Sequence, residues 1–155
     1  MSVAMWFGLL VRFNENRRNF VPLIQIAAIM IDLQKQIDYW ITGAEEDLKT
    51  ADLLLKMKRY MHGMFFCHLS IEKALKAHYV KSKMDVPPRS HNLIYLAGTT
   101  GIIFEENDLD FLGILMKYQL EGRYPDYILM VPQQFDIEGY LKRTKELFKW
   151  LKQKL

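Results

Sequence analysis

The sequence predicts an all-α fold, an up-and-down four-helix bundle with one additional short helix. Apolar residues recur in steps of three and four through long segments, the spacing of one helical face. No segment alternates polar and apolar residues with β-branched enrichment, as a half-buried strand would. The eight Gly and five Pro, in a chain of strong helix formers, point away from a turn-rich β protein.

The first helix reads from Leu33 to Met57, with Leu33, Ile37, Trp40/Ile41, Ala44, Leu48, Ala51 and Leu54/Leu55 on one stripe. Lys35, Asp38, Glu45, Glu46, Lys49 and Asp52 take the other side. A second helix follows from Tyr60 to Lys83, so close that the two must pack antiparallel. Pro87-Pro88 stops it, because proline neither donates a backbone bond nor continues the turn. Ser90 reads as the N-cap of a short helix over His91–Ala97, with Gly98 closing it. Asn107 caps the next, Leu109–Leu120, whose first turn carries Asp108 and Asp110 against the positive helix terminus. That helix is apolar almost all round, which predicts the deepest burial. Pro132 opens a last helix, with its stripe at Ile137, Tyr140/Leu141, Thr144, Leu147/Phe148, Leu151 and Leu155. Gly43, Gly63, Gly113 and Gly139 fall inside these helices, each costing about 1 kcal/mol relative to Ala. Close helix approach, within the bundle or across a homodimer, is the expected reason.

The first 30 residues read as an N-terminal extension outside the fold, with the helical bundle over 31–155. Two apolar runs, Val3–Val11 and Phe20–Ile31, flank a polar stretch, and neither reaches the roughly 18 residues of a membrane span. A secretory signal fits poorly, since the positive charge follows the first apolar run. An amphipathic anchor at a membrane surface and a helix docked on the bundle are the other readings of this segment. The single cysteine, Cys67, can form no internal disulfide and fits a reducing cytoplasm.

Charge is small in total but segregated. The formal net charge is +3. Residues 49–89 hold nine bases against three acids, and residues 101–140 two bases against eight acids. Such a pattern suits pairing with itself or a partner, and a basic surface on the second helix could meet phosphates.

Several chemistries lack their residues. There is no Glu-x-x-His pair for a di-iron bundle, no His-Glu-x-x-His, and no phosphate-cradling Gly loop ending in Lys-Ser/Thr. No metal or cofactor is therefore expected. Two constellations remain. His68, Glu72 and Lys76 stand four apart and share one helical face, while Lys73 is turned aside. The second is Glu121-Gly122-Arg123-Tyr124-Pro125-Asp126, where Pro125 disfavours helix at Tyr124 and fixes a turn. Arg123 suits bidentate pairing with carboxylate or phosphate. It can clamp Glu72 or Asp126, bind a phosphate, or act in catalysis; the residues alone leave these open.

Ala44-Glu45-Glu46-Asp47-Leu48, His68 with Glu72-Lys73-Ala74-Leu75-Lys76-Ala77, His91-Asn92-Leu93 and Arg123-Tyr124-Pro125-Asp126 follow one another in the chain. In that order they resemble the HEPN domains of prokaryotes, over roughly residues 33–153. The resemblance implies an up-and-down bundle that forms homodimers. It also implies involvement with nucleotides or RNA, often beside a minimal nucleotidyltransferase partner in a toxin–antitoxin-like pair. Many such domains are metal-independent ribonucleases using an Arg followed, after four to six residues, by a His. This sequence has no such spacing, and no His follows Arg123. The expected function is accordingly a non-catalytic module with no catalytic residues. It would bind a nucleotide, RNA or a nucleotidyltransferase through Arg123, Tyr124, Asp126, Lys73, Lys76, His91, Glu72 and His68. A ribonuclease with a different acid–base pair, His68 or His91 supplying protons, is the alternative. A third reading makes Arg123, Asp126, Glu72 and His91 one buried network that locks the bundle.

Overall fold

A computed structural model describes residues 20–121 and 134–155. The chain divides into two compact units, Met1–Gln34 and Lys35–Leu155. Five helices lie within the described residues: α1 (Phe20–Lys56), α2 (Tyr60–Lys83), α3 (Leu93–Thr99), α4 (Glu106–Glu121) and α5 (Gln134–Lys154). Four are long and α3 has seven residues, as the apolar spacing predicts.

In the unit Lys35–Leu155, side-chain contacts fix the helix directions. Lys73 meets Asp47 and Gly63 meets Leu55, so α1 and α2 run antiparallel. Lys145 pairs with Asp52 and Lys152 with Glu45, which sets α5 antiparallel to α1. His78 reaches the Leu151 carbonyl and Lys81 the Lys154 carbonyl, so α2 and α5 are parallel. Arg143 meets Asp108, and Phe111 packs on Tyr140, placing α4 antiparallel to α5. The order is up, down, up, down.

Helix α2 packs against α3, α4 and α5. Met64, Cys67, Ile71, Ala74, Leu75 and Val80 are fully buried along it, joined by Leu93, Leu96, Leu112, Leu115 and Leu151. Burying one Leu- or Met-sized side chain is worth roughly 1.5–3 kcal/mol. The most buried helix is therefore α2, not α4, whose Leu109 and Lys117 are exposed. Composition alone misjudged this, because burial follows the number of neighbouring helices.

The termini depart from expectation in four places. Helix α1 begins at Phe20, thirteen residues before the expected start. Its N-terminal third is apolar without a stripe, so no periodicity marks it. The cap of α3 is Asn92, not Ser90: its side chain accepts from the Tyr95 N–H at 2.9 Å, while Ser90 Oγ accepts from Asn92 N–H at 3.2 Å in the preceding turn. Gly98 lies inside α3, and Gly101 instead takes the left-handed conformation, φ 74°. Helix α4 starts at Glu106, with the Glu105 carbonyl accepting from Asp108 and Leu109, so Asn107 is inside the first turn. Pro132, expected to open α5, lies outside the described residues.

Two non-glycine residues hold left-handed turns. Lys58, φ 59°, ends α1, where the Arg59 N–H returns to the Leu54 carbonyl. Met84, φ 54°, ends α2 before the prolines.

Of the four glycines expected inside the long helices, two sit at close approaches. A Cβ on Gly63 would lie 2.5 Å from Leu55 Cγ, and one on Gly43 3.3 Å from Lys73 Nζ. Gly113 and Gly139 have nothing within 4 Å. Gly139 is exposed, so Gly139→Ala should stabilise the bundle by about 1 kcal/mol, read from urea unfolding.

Candidate functional site

The four-residue spacing of His68, Glu72 and Lys76 brings them together on the face of α2 that meets α3 and its leading loop. Glu72 is almost fully buried, and a buried carboxylate requires partners. It has two: Lys76 Nζ donates to Oε1 at 2.7 Å, and His91 Nδ1 donates to Oε2 at 3.0 Å. Lys76 is buried as well, its ammonium 5.2 Å from the centroid of the Trp40 ring. Cation–π attraction there adds to the ion pair. Tyr39 stands edge-on to Trp40, ring centroids 5.4 Å apart, and is exposed.

His68 lies beneath this pair with no exposed surface. Its Nε2–H donates to the His91 carbonyl at 3.1 Å, so Nδ1 carries a lone pair. Nδ1 stands 3.8 Å from Glu72 Oε2 and has no hydrogen-bond partner among the described residues. Burial pulls the imidazole down to about 4, overcoming the attraction of Glu72 and the bond to His91. At neutral pH His68 is thus uncharged, and it is inaccessible to solvent. His91 is pinned twice, through its carbonyl by His68 and through its ring by Glu72. Its side chain is 48% exposed. With Nδ1 on Glu72, Nε2 is the ring nitrogen left for a ligand.

Lys73 points to the neighbouring side of α2, as its spacing requires. Its ammonium is 2.6 Å from Asp47 Oδ2, and Gly43 leaves room for its stem. Asp47 and Trp40 are the partners that sequence reasoning did not assign. Asp47 stands in the quoted Ala44–Leu48 segment, directly after two exposed or half-exposed acids, and only packing singles it out. Arg123, Tyr124 and Asp126 lie outside the described residues, as does the proposed clamp of Arg123 on Glu72.

Elsewhere, burial pushes the Cys67 thiol up to about 11, so the thiol stays protonated. His78 is buried, its Nε2 donating to the Leu151 carbonyl at 2.9 Å, and burial lowers its pKa. Among the described residues, no three His, Cys, Asp or Glu are placed to hold a metal ion. No helix among them is long and apolar enough to cross a membrane.

The His68 environment makes a pH prediction. Below the ordinary value of 6.5 the unfolded chain binds a proton that the folded chain refuses until about pH 4. Stability is therefore complete above pH 6.5 and falls by roughly 3 kcal/mol as the pH drops to 4. His78 contributes with the same sign. Urea unfolding across this range should show the slope, and His68→Gln should flatten it.

These features define an all-α bundle whose second helix carries a buried Glu–Lys pair joined to a histidine in the next loop. The chain belongs to the HEPN domain family, whose model matches residues 37–154. It is similar to the crystal structure of TT1696 from Thermus thermophilus, at 20% identity and TM-score 0.67, over 77% of this chain and 98% of that one. It is also similar to ST0689, an archaeal HEPN homologue, at 23% identity and TM-score 0.59, over 76% and 96% of the two chains. No curated protein matches the chain.

Proposed function

We propose that this chain is a non-catalytic HEPN binding module whose ligand is a nucleotide or RNA, or a minimal nucleotidyltransferase presenting one. The supporting observation is His91: within the buried cluster it alone keeps a half-exposed ring, held in one orientation by Glu72. In this reading His91 Nε2 contacts the ligand, and Arg123, Tyr124 and Asp126 supply phosphate and stacking contacts from the turn. Lys73 and Lys76, engaged by Asp47 and Glu72, position the site and do not meet phosphate. His68 acts through the His91 carbonyl. The module would work in the cytoplasm as a homodimer, in a toxin–antitoxin-like pair.

Calorimetric titration of ATP and short RNAs against the wild type, Arg123→Ala and His91→Ala tests this. Binding by the wild type should weaken at least about tenfold in each variant, a loss of one charged hydrogen bond. No binding by any of the three defeats the ligand reading.

One observation favours the ribonuclease alternative. A carboxylate bound to Nδ1 of a half-exposed imidazole is the arrangement that orients a general base. His68, fully buried, is unsuited to that role, so the chemistry would fall to His91. RNA cleavage abolished by His91→Ala and retained by His68→Gln supports this alternative; absence of cleavage by the wild type removes it.

A further inference from the structure

Tyr39 and Trp40 stand together on α1 within the Lys35–Leu155 unit, and among the described residues neither belongs to the apolar core or packs on it. Successive residues of a helix point about 100° apart, and the two rings divide accordingly. Trp40 is half-buried, its ring centroid 5.2 Å from Lys76 Nζ. Tyr39 is 71% exposed, the most exposed aromatic side chain among the described residues. It is nevertheless braced, edge-on to Trp40 with ring centroids 5.4 Å apart.

What holds Trp40 also holds His91. Lys76 faces the Trp40 ring and donates to Glu72 Oε1, and the other oxygen of that carboxylate accepts from His91 Nδ1. One lysine–glutamate pair thus separates the aromatic pair from the half-exposed imidazole whose Nε2 is left for a ligand. A ring fixed in advance loses little freedom when a second ring stacks on it, which favours a planar aromatic ligand. Charge decides which end of that ligand comes to α1. Residues 30–48 hold five acids and one base, so this stretch repels a phosphate and tolerates a neutral base.

We infer that Tyr39, braced by Trp40, is the base-stacking platform of the site, with the phosphate end of the ligand directed toward His91 and away from α1. The inference rests on the nucleotide reading above and adds the residue that sets base preference. A purine offers the larger stacking face and binds more tightly than a pyrimidine. Calorimetric titration of ATP and UTP against the wild type, Tyr39→Ala, Tyr39→Phe and His91→Ala tests it. Tyr39 is exposed, so truncating it removes no core packing, and circular dichroism checks that each variant stays helical.

The wild type should bind ATP more tightly than UTP. Tyr39→Ala should weaken ATP at least about fivefold, the low end for a lost base stack, and UTP less, so that the preference narrows. Tyr39→Phe keeps the ring and should keep both affinities. A wild type without preference overturns the platform, as does a Tyr39→Ala variant that binds ATP like the wild type or loses ATP and UTP by one factor. If His91→Ala weakens ATP in that same series, the nucleotide reading stands without the platform. Absence of ATP and UTP binding by the wild type overturns both.

Discussion

Glu72→Ala should remove a large fraction of this protein's stability, about 3–5 kcal/mol in urea denaturation at pH 7. The reason is Lys76. Its ammonium is buried, 2.7 Å from Glu72 Oε1, and the substitution leaves that charge without its counter-ion. Attraction from the Trp40 ring offsets only part of the loss, since such contacts contribute about 1–2 kcal/mol when desolvated. Two further variants separate the ion pair from packing. Lys76→Met strands the carboxylate, although His91 still bonds to its other oxygen, so the loss should be smaller. Glu72→Met/Lys76→Met removes both charges and keeps the volume, and should come close to wild-type stability. That double variant should also release His91 from its fixed orientation, and any ligand binding should fall although the bundle survives. If Glu72→Ala cost less than about 1 kcal/mol, the pair would be behaving as a surface ion pair and its burial would be refuted.

Gly63→Ala should destabilise by about 1–3 kcal/mol, although alanine is the better helix former. The added Cβ would stand 2.5 Å from Leu55 Cγ and 3.3 Å from the Ala51 carbonyl oxygen. The carbonyl belongs to the backbone of α1 and cannot rotate away, and Leu55 is itself buried. The two helices must separate or Leu55 must leave its rotamer. A double-mutant cycle isolates the cause. In a Leu55→Ala background the cavity accepts the new methyl, so Gly63→Ala should there be neutral or stabilising. Equal effects in both backgrounds would show that the close approach is not what the glycine serves.

Legibility in the sequence followed the range of the interaction. The four long helices announce themselves because residues three and four apart share a face, and the Lys76–Glu72 bond could be read for the same reason. The bond from His91 to Glu72 spans 19 residues, so no helical spacing announces it, and it is expected only within the third reading's network of Glu72 and His91. Nor does any spacing announce Lys73 with Asp47: Glu45, Glu46 and Asp47 are interchangeable until packing turns one of them inward. Glycines were visible, yet their reasons were not. Gly63 marks a contact and Gly139 marks none, and both look alike in a helical run. Ser90 and Asn92 are both cap-competent and stand two apart, and only the geometry decides that Asn92 begins the helix. The start of α1 escaped because Phe20–Ile31 has no polar face from which a stripe could be told.

The placement of α2 has a consequence for how the chain is made. Its buried side is completed by α5, and the bond from His78 to the Leu151 carbonyl joins residues 73 apart. During synthesis α2 leaves the ribosome with its apolar face bare and waits for the last helix. Loop closure over that distance must precede the gain, which slows folding relative to a bundle assembled from neighbours in order. Truncation within α5 should therefore abolish cooperative folding of the whole domain, while the early helices alone would present the sticky surface on which chaperones act.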